Sequence, residues 1–167
     1  MLLGDLLTKR TDYTPVSPEA EYAVVGVQRS GWGFVRREPV RGDSMQFSKL
    51  MQLEEGNLVY RTITAFEAPS AVVGPEFAGT FVTPQAFPVF RFDANRILPE
   101  FMSLMTTFPE FHEAMSERCT GTVLRRKTLF VAAFQSIPIN LPPLDEQQRI
   151  VDLVSAPVWQ LYCMGFH

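Results

Sequence analysis

Hydrophobic and polar positions alternate in short runs from the N-terminus to about Asp93. "YAVVGV", Tyr22 to Val27, is a β-branched run closed by "SGWG" at Ser30 to Gly33, whose glycines accommodate a turn, and "FVRREPV" reads as the returning strand. Lys49 to Leu53 and Leu58 to Ile63 flank "EEGN", which predicts a second hairpin with Gly56 and Asn57 as turn formers. "SAVVG", "GTFVT" and "FPVFRF" continue the pattern, each separated from the next by Gly, Pro or Asn. The first part of the chain therefore reads as a strand-rich meander.

After Asp93 the period lengthens. "LPEFMSLM" and "FPEFHEAM" each place proline at a first helical position with glutamate behind it, as the absent proline N–H and the helix dipole favour. Phe101, Leu104, Met105, Phe111 and Met115 supply the apolar faces of this helix pair. "PEF" recurs at Pro75, Pro99 and Pro109, but the surroundings do not match, so there is no internal repeat. A polar loop, "RCTGTVLRRKTLF", precedes "FVAAFQSIPI", which is short and apolar enough for a strand.

Pro142 and Pro143 cannot donate to a sheet ladder and are tolerated only at a helix start, so sheet gives way to helix there. Asp145 and Glu146 suit the first turn, and Ile150, Leu153 and Val154 form an apolar stripe. Pro157 is expected to stop the helix after about eleven residues, roughly 16 Å at the usual rise. So short a helix is marginal alone and its stripe must pack against something. The fold class expected is α+β: a twisted, mainly antiparallel sheet with short flanking helices and a short C-terminal helix.

Composition narrows the classes. With 167 residues, 46% hydrophobic and 20% charged, the chain fits one ordinary domain with one main core. A formal net charge of -3 and a pI near 5.4 provide no overall steering toward nucleic acid, so any such contact depends on local cations. Cys119 and Cys163 lie far apart without metal-ligand spacing and read as reduced thiols. "MLLGDLLTKR" reverses the charge order of a secretory signal, and no stretch is apolar enough to span a bilayer, so a cytoplasmic location is expected, with no membrane partner. His112, Glu113 and Cys119 lack the second half of a zinc deaminase signature, and phosphate-binding, dinucleotide and nucleophile-elbow motifs are missing. No enzyme activity, metal or cofactor is expected.

"IPINLPPLDEQQRIV", Ile137 to Val151, resembles the strand-to-helix wording that ends each target recognition domain in the specificity subunits of type I restriction-modification systems. "EYAVVGVQRSGWGFVRREPVRG", "LEEGNLVYR", "AVVGPEFAGTFVT", "FPVFRFD" and "GTVLRRKTLF" agree in order and spacing with one branch of that family. Where the branch reads Ser-Asn-Glu-Phe, this chain has "TPQAF", Thr83 to Phe87. The resemblance implies a target recognition domain over residues 1–143 and a truncated spacer helix with its tail over 144–167. It further implies a non-catalytic, sequence-specific DNA-binding module that reads one half of a split target. The partners implied are double-stranded DNA, a methyltransferase subunit, and a second specificity subunit or copy of the same chain.

DNA recognition needs cations for phosphates and forked or amide side chains for base edges. The candidates are Gln28, Arg29, Ser30 and Trp32, then Arg61 and Thr62, then Thr120, Thr122, Arg125, Arg126 and Lys127. Five cations against two acids lie between Arg118 and Arg149, a local excess in an acidic chain. A run of three cations also suits a merely solvated face. On the C-terminal helix, Gln147, Ile150, Leu153 and Val154 are the candidates for a partner surface. The alternative expectation is an interaction protein that no longer reads DNA, a decoy or DNA mimic acting on the restriction-modification complex.

Overall fold

The computed structural model describes residues 1–155. They contain eleven short strands: β1 (Leu7–Lys9), β2 (Thr14–Pro15), β3 (Glu21–Tyr22), β4 (Val25–Val27), β5 (Phe34–Arg36), β6 (Val40–Arg41), β7 (Lys49–Gln52), β8 (Leu58–Tyr60), β9 (Ser70–Val72), β10 (Phe81–Val82) and β11 (Val89–Phe92). Four α-helices follow: α1 (Pro99–Met105), α2 (Pro109–Glu117), α3 (Val131–Gln135) and α4 (Leu144–Ser155). All the strand pairs are antiparallel, in four small sheets ordered β1-β11-β8-β9, β10-β7-β2, β3-β6 and β4-β5. The α+β class therefore holds, with the single twisted sheet divided among four.

Side-chain alternation explains how the layers form. In β8, Leu58 and Tyr60 point to one side and Val59 to the other; in β11, Phe90 and Val89 divide the same way. The first side packs on Leu3, Leu6, Phe101, Met102, Phe111 and Phe134, and the second on Val25, Phe34, Met51, Leu53 and Val82. Both faces of the four-stranded sheet are thus covered, and the expected single core is two cores separated by that sheet. Tyr60 stacks on Phe134 with centroids 4.0 Å apart and donates its hydroxyl to the Leu129 carbonyl at 2.9 Å. Burial pushes this phenol well above its ordinary pKa.

Two sequence expectations are corrected. Residues 49–53 and 58–63 do not form a hairpin, although Glu54 to Asn57 does turn, with the Asn57 N–H on the Glu54 carbonyl at 3.1 Å. β7 pairs with β10 and β2, while β8 pairs with β11 and β9, because each joins a different core. "FVAAFQSIPI" is not a strand: Val131–Gln135 is a helical turn that drives Phe134 into the first core, and Ala132 and Ala133 favour it. Only the following residues are extended, with the Ile139 N–H on the Met1 carbonyl and the Leu3 N–H on that of Ile137.

Other local readings hold. β4 and β5 form the first hairpin in the register Val25 to Arg36 and Val27 to Phe34. Pro99 and Pro109 open α1 and α2, and α4 starts at Leu144 directly after the proline pair. The stop at Pro157 and the thiol of Cys163 lie outside the described residues.

A buried arginine ties the two layers together. Arg10, 4% exposed, donates from Nε and Nη2 to the two carboxylate oxygens of Asp12, and from Nη1 to the Gln52 carbonyl at 2.6 Å and to Asn57 Oδ1 at 2.9 Å. Glu54 and Arg91 extend the network.

Candidate nucleic-acid interface

Three loops are joined side by side by hydrogen bonds to backbone carbonyls. The Ser30 N–H donates to the Ala68 carbonyl at 3.1 Å, attaching the β4–β5 hairpin tip to the loop after β8. That loop is attached in turn to residues 120–128: Thr64 Oγ1 donates to the Arg125 carbonyl at 2.9 Å, and the Leu129 N–H to the Thr62 carbonyl at 2.8 Å. Ile63 and Thr128 form a bridge between them, and Thr120 bridges Thr128 across the neck of the third loop. The hairpin tip also rests on the α1–α2 connection, where a Cβ on Gly31, at φ 73°, would collide with the Thr106 carbonyl.

Strain concentrates in the same place. Among the described residues, the non-glycine positions with positive φ are Ser30, Thr64 and Ala68, all within the first two of these loops. Each costs on the order of 1–3 kcal/mol, and a β-branched residue such as Thr64 rarely adopts this geometry.

The cations divide into two groups. Arg29, Arg125 and Arg126 are exposed, Lys127 is half-buried, and no carboxylate pairs with any of the four among the described residues. Arg29 lies over the Trp32 ring at 4.7 Å, and that indole is 62% exposed. Arg61 is committed elsewhere. It pairs with Glu67 at 3.0 Å and donates to the carbonyls of Val27, Ile63 and Thr64, so it fastens the loops rather than offering a free charge. Gln28 likewise spends its amide on the Phe34 carbonyl at 3.1 Å, inside its own hairpin. Thr62 donates to the Ala86 carbonyl at 3.4 Å and Thr120 to that of Thr128 at 3.4 Å; Thr122 is exposed.

Beside this ridge runs a cleft of about 470 Å³ whose walls include Lys9, Tyr13, Lys49, Gln85, Thr62 and Phe130. Thr62 and Thr128 belong to both cleft and ridge, so the two surfaces are continuous. Lys49 Nζ sits 4.5 Å from the centroid of the Tyr13 ring, and Phe130 is 61% exposed. Sequence reasoning missed Lys9, Lys49 and Gln85. Each stands apart from other candidates along the chain, and only the antiparallel pairing of β2 with β7 and of β1 with β11 assembles them.

The acidic net charge has a location. The segments 99–117 and 144–155, which span α1, α2 and α4, hold seven carboxylates and one arginine, leaving fourteen cations against eleven acids elsewhere. His112 belongs to this helical part and donates through Nε2 to the Thr106 carbonyl at 2.6 Å. Cys119 is half-buried, and burial raises its thiol pKa. No group of three or more His, Cys, Asp or Glu among the described residues could hold a metal ion, and none of the helices there is long and apolar enough to cross a membrane.

On α4, Gln147 faces inward instead of toward a partner. It is fully buried, accepts from the Leu98 N–H at 2.9 Å, and donates to the carbonyls of Arg96 at 2.9 Å and Pro142 at 2.8 Å. Ile150 packs on the first core with Val151, Val154 is half-buried, and Leu153 is 68% exposed. The stripe is therefore largely used within the domain.

No family model and no curated protein matches the sequence. Solved structures do match, among them specificity subunits of type I restriction-modification systems. The HsdS subunit from Thermoanaerobacter tengcongensis is 20% identical with a TM-score of 0.75, over 98% of this chain and 43% of that one. A structure concerned with complex assembly and conformational transition of the type I R-M system gives the same values. The S subunit from M. genitalium is 11% identical with a TM-score of 0.61, over 93% of this chain and 37% of that one. At such identities the likeness is one of fold, and the chain spans less than half the length of the chains it matches.

Proposed function

We propose that this chain is a sequence-specific DNA-binding module of a type I restriction-modification system, reading one half of a split target. The observation that supports the reading best is the ridge of stitched loops, where Arg29, Arg125, Arg126 and Lys127 have no carboxylate partner among the described residues. Unpaired cations on a preformed surface suit a phosphate backbone, because no internal ion pair must be broken and little loop entropy is lost on binding. Exposed Trp32, beside Arg29, adds a surface for packing on sugar or base. Target bases are read by side chains next to the ridge, while the ridge sets register on the duplex.

The partner that receives the bound target is a methyltransferase subunit, consistent with the system to which the similar structures belong. Leu153, exposed on α4, contributes to the surface for that subunit or for a second specificity chain. The decoy reading requires carboxylates where the duplex would lie, and the acids concentrate instead on α1, α2 and α4. The test is selection from a randomised duplex pool by the purified chain, alone and with its methyltransferase subunit. A recovered consensus supports the reading; salt-independent retention without sequence enrichment overturns it.

A further inference from the structure

We infer that the cleft beside the ridge is the base-reading subsite, in which Gln85 recognises an adenine and the apolar wall receives the methyl group of its thymine partner. This rests on the DNA-binding reading above. Gln85 lies in the "TPQAF" loop, and the loop is pinned rather than loose: the Thr62 N–H donates to the Ala86 carbonyl at 2.9 Å and the Phe87 N–H to that of Thr83 at 3.1 Å. The Gln85 side chain is exposed, lines the cleft, and makes no hydrogen bond among the described residues. An amide in this state keeps one donor and one acceptor edge free, the pattern that pairs bidentately with adenine N6 and N7 in the major groove.

The surroundings complete the argument. Pro84, Pro88 and Phe130 give the cleft an apolar side, which suits the thymine C5-methyl group. Lys9 and Lys49 stand in the same cleft without carboxylate partners among the described residues, placed for the phosphates that flank the base pair being read. Thr62 and Thr128 join the cleft to the ridge, so one duplex covers both. Gln28, the amide that sequence reasoning favoured, is already bonded within its hairpin, whereas Gln85 is the amide that lines the cleft.

The experiment compares consensus sequences selected by the full chain and by its Gln85→Ala and Gln85→Arg variants, with melting temperature as the fold control. Gln85→Ala is expected to lose the preference for adenine at one position, and Gln85→Arg to move it to guanine, since arginine pairs with guanine O6 and N7. Lys9→Ala with Lys49→Ala is expected to weaken binding to all sequences alike and lower the salt slope by about 0.9 for each phosphate lost. An unchanged consensus in both Gln85 variants overturns the inference while leaving DNA binding intact. If the unmodified chain selects no sequence, the DNA-binding reading fails and this one with it.

Discussion

Gln147 anchors the C-terminal helix, and replacing it by leucine measures how firmly. The side chain satisfies three backbone groups: the Leu98 N–H and the carbonyls of Arg96 and Pro142, at 2.8–2.9 Å. A buried group left without its partner costs about 1–3 kcal/mol, and here the partners are only partly buried, so the low end applies to each. Three such losses come to about 3 kcal/mol, reduced by roughly 1 kcal/mol for the apolar surface that leucine adds to the same site. The expected net loss of about 2 kcal/mol corresponds to a fall in Tm of roughly 4–8 °C for a domain of this size. Thermal and urea melts of Gln147→Leu read the effect, with the urea slope unchanged. Exposed Gln148, whose amide donates to Asp152 Oδ1 at 2.9 Å, is the control and should shift little on the same substitution. Gln147→Glu adds a pH signature: burial raises the new carboxyl pKa, so its protonated form is tolerated at low pH and the destabilisation grows as pH rises. A Tm change below about 1 °C in Gln147→Leu would refute the anchoring role.

Arg10→Met should cost about 2–3 kcal/mol in urea melts, because Asn57 and the Gln52 carbonyl lose a buried partner; a change under 0.5 kcal/mol in magnitude, about the size of a surface substitution, contradicts this. The Asp12 carboxyl is held at about 2, from an ordinary 3.8, first by its hydrogen bond from Arg10 and then by its own backbone. Its folded pKa is depressed, so its contribution is present above the unfolded value and is lost as pH falls from about 4 toward 2; Asp12→Asn should flatten that part of the stability profile. Ser70 Oγ is buried with no hydrogen-bond partner among the described residues, so Ser70→Ala should stabilise by roughly 1 kcal/mol, and a comparable loss in thermal melts would show a partner exists.

What could be read from sequence was local. The β4–β5 hairpin carries its turn in "SGWG", and α1, α2 and α4 carry their prolines at the start, so short-range geometry sufficed. Strand partnership between β7 and β10 or between β8 and β11 is set by which core each face enters, and the intervening "EEGN" turn gives no sign of it. The same limit governs the site. The run Arg125 to Lys127 announces itself, whereas Lys9, Lys49 and Gln85 meet only after the sheets assemble. Arg61 illustrates the converse: its charge was legible, but its neutralisation depends on the left-handed turn at Thr64 that brings Glu67 back to it. Gln147 sits in the most recognisable motif of the chain, yet its inward orientation follows from packing of α4 beside α1.

The central claim, that the loop ridge carries the phosphate contacts, is tested most directly by the salt dependence of duplex binding. The account predicts that log K falls linearly with log salt, and that Arg125→Ala, Arg126→Ala and Lys127→Ala together make the slope shallower by about 2.7, near 0.9 for each contact removed. An identical slope in the triple variant, at equal folded stability, would contradict it.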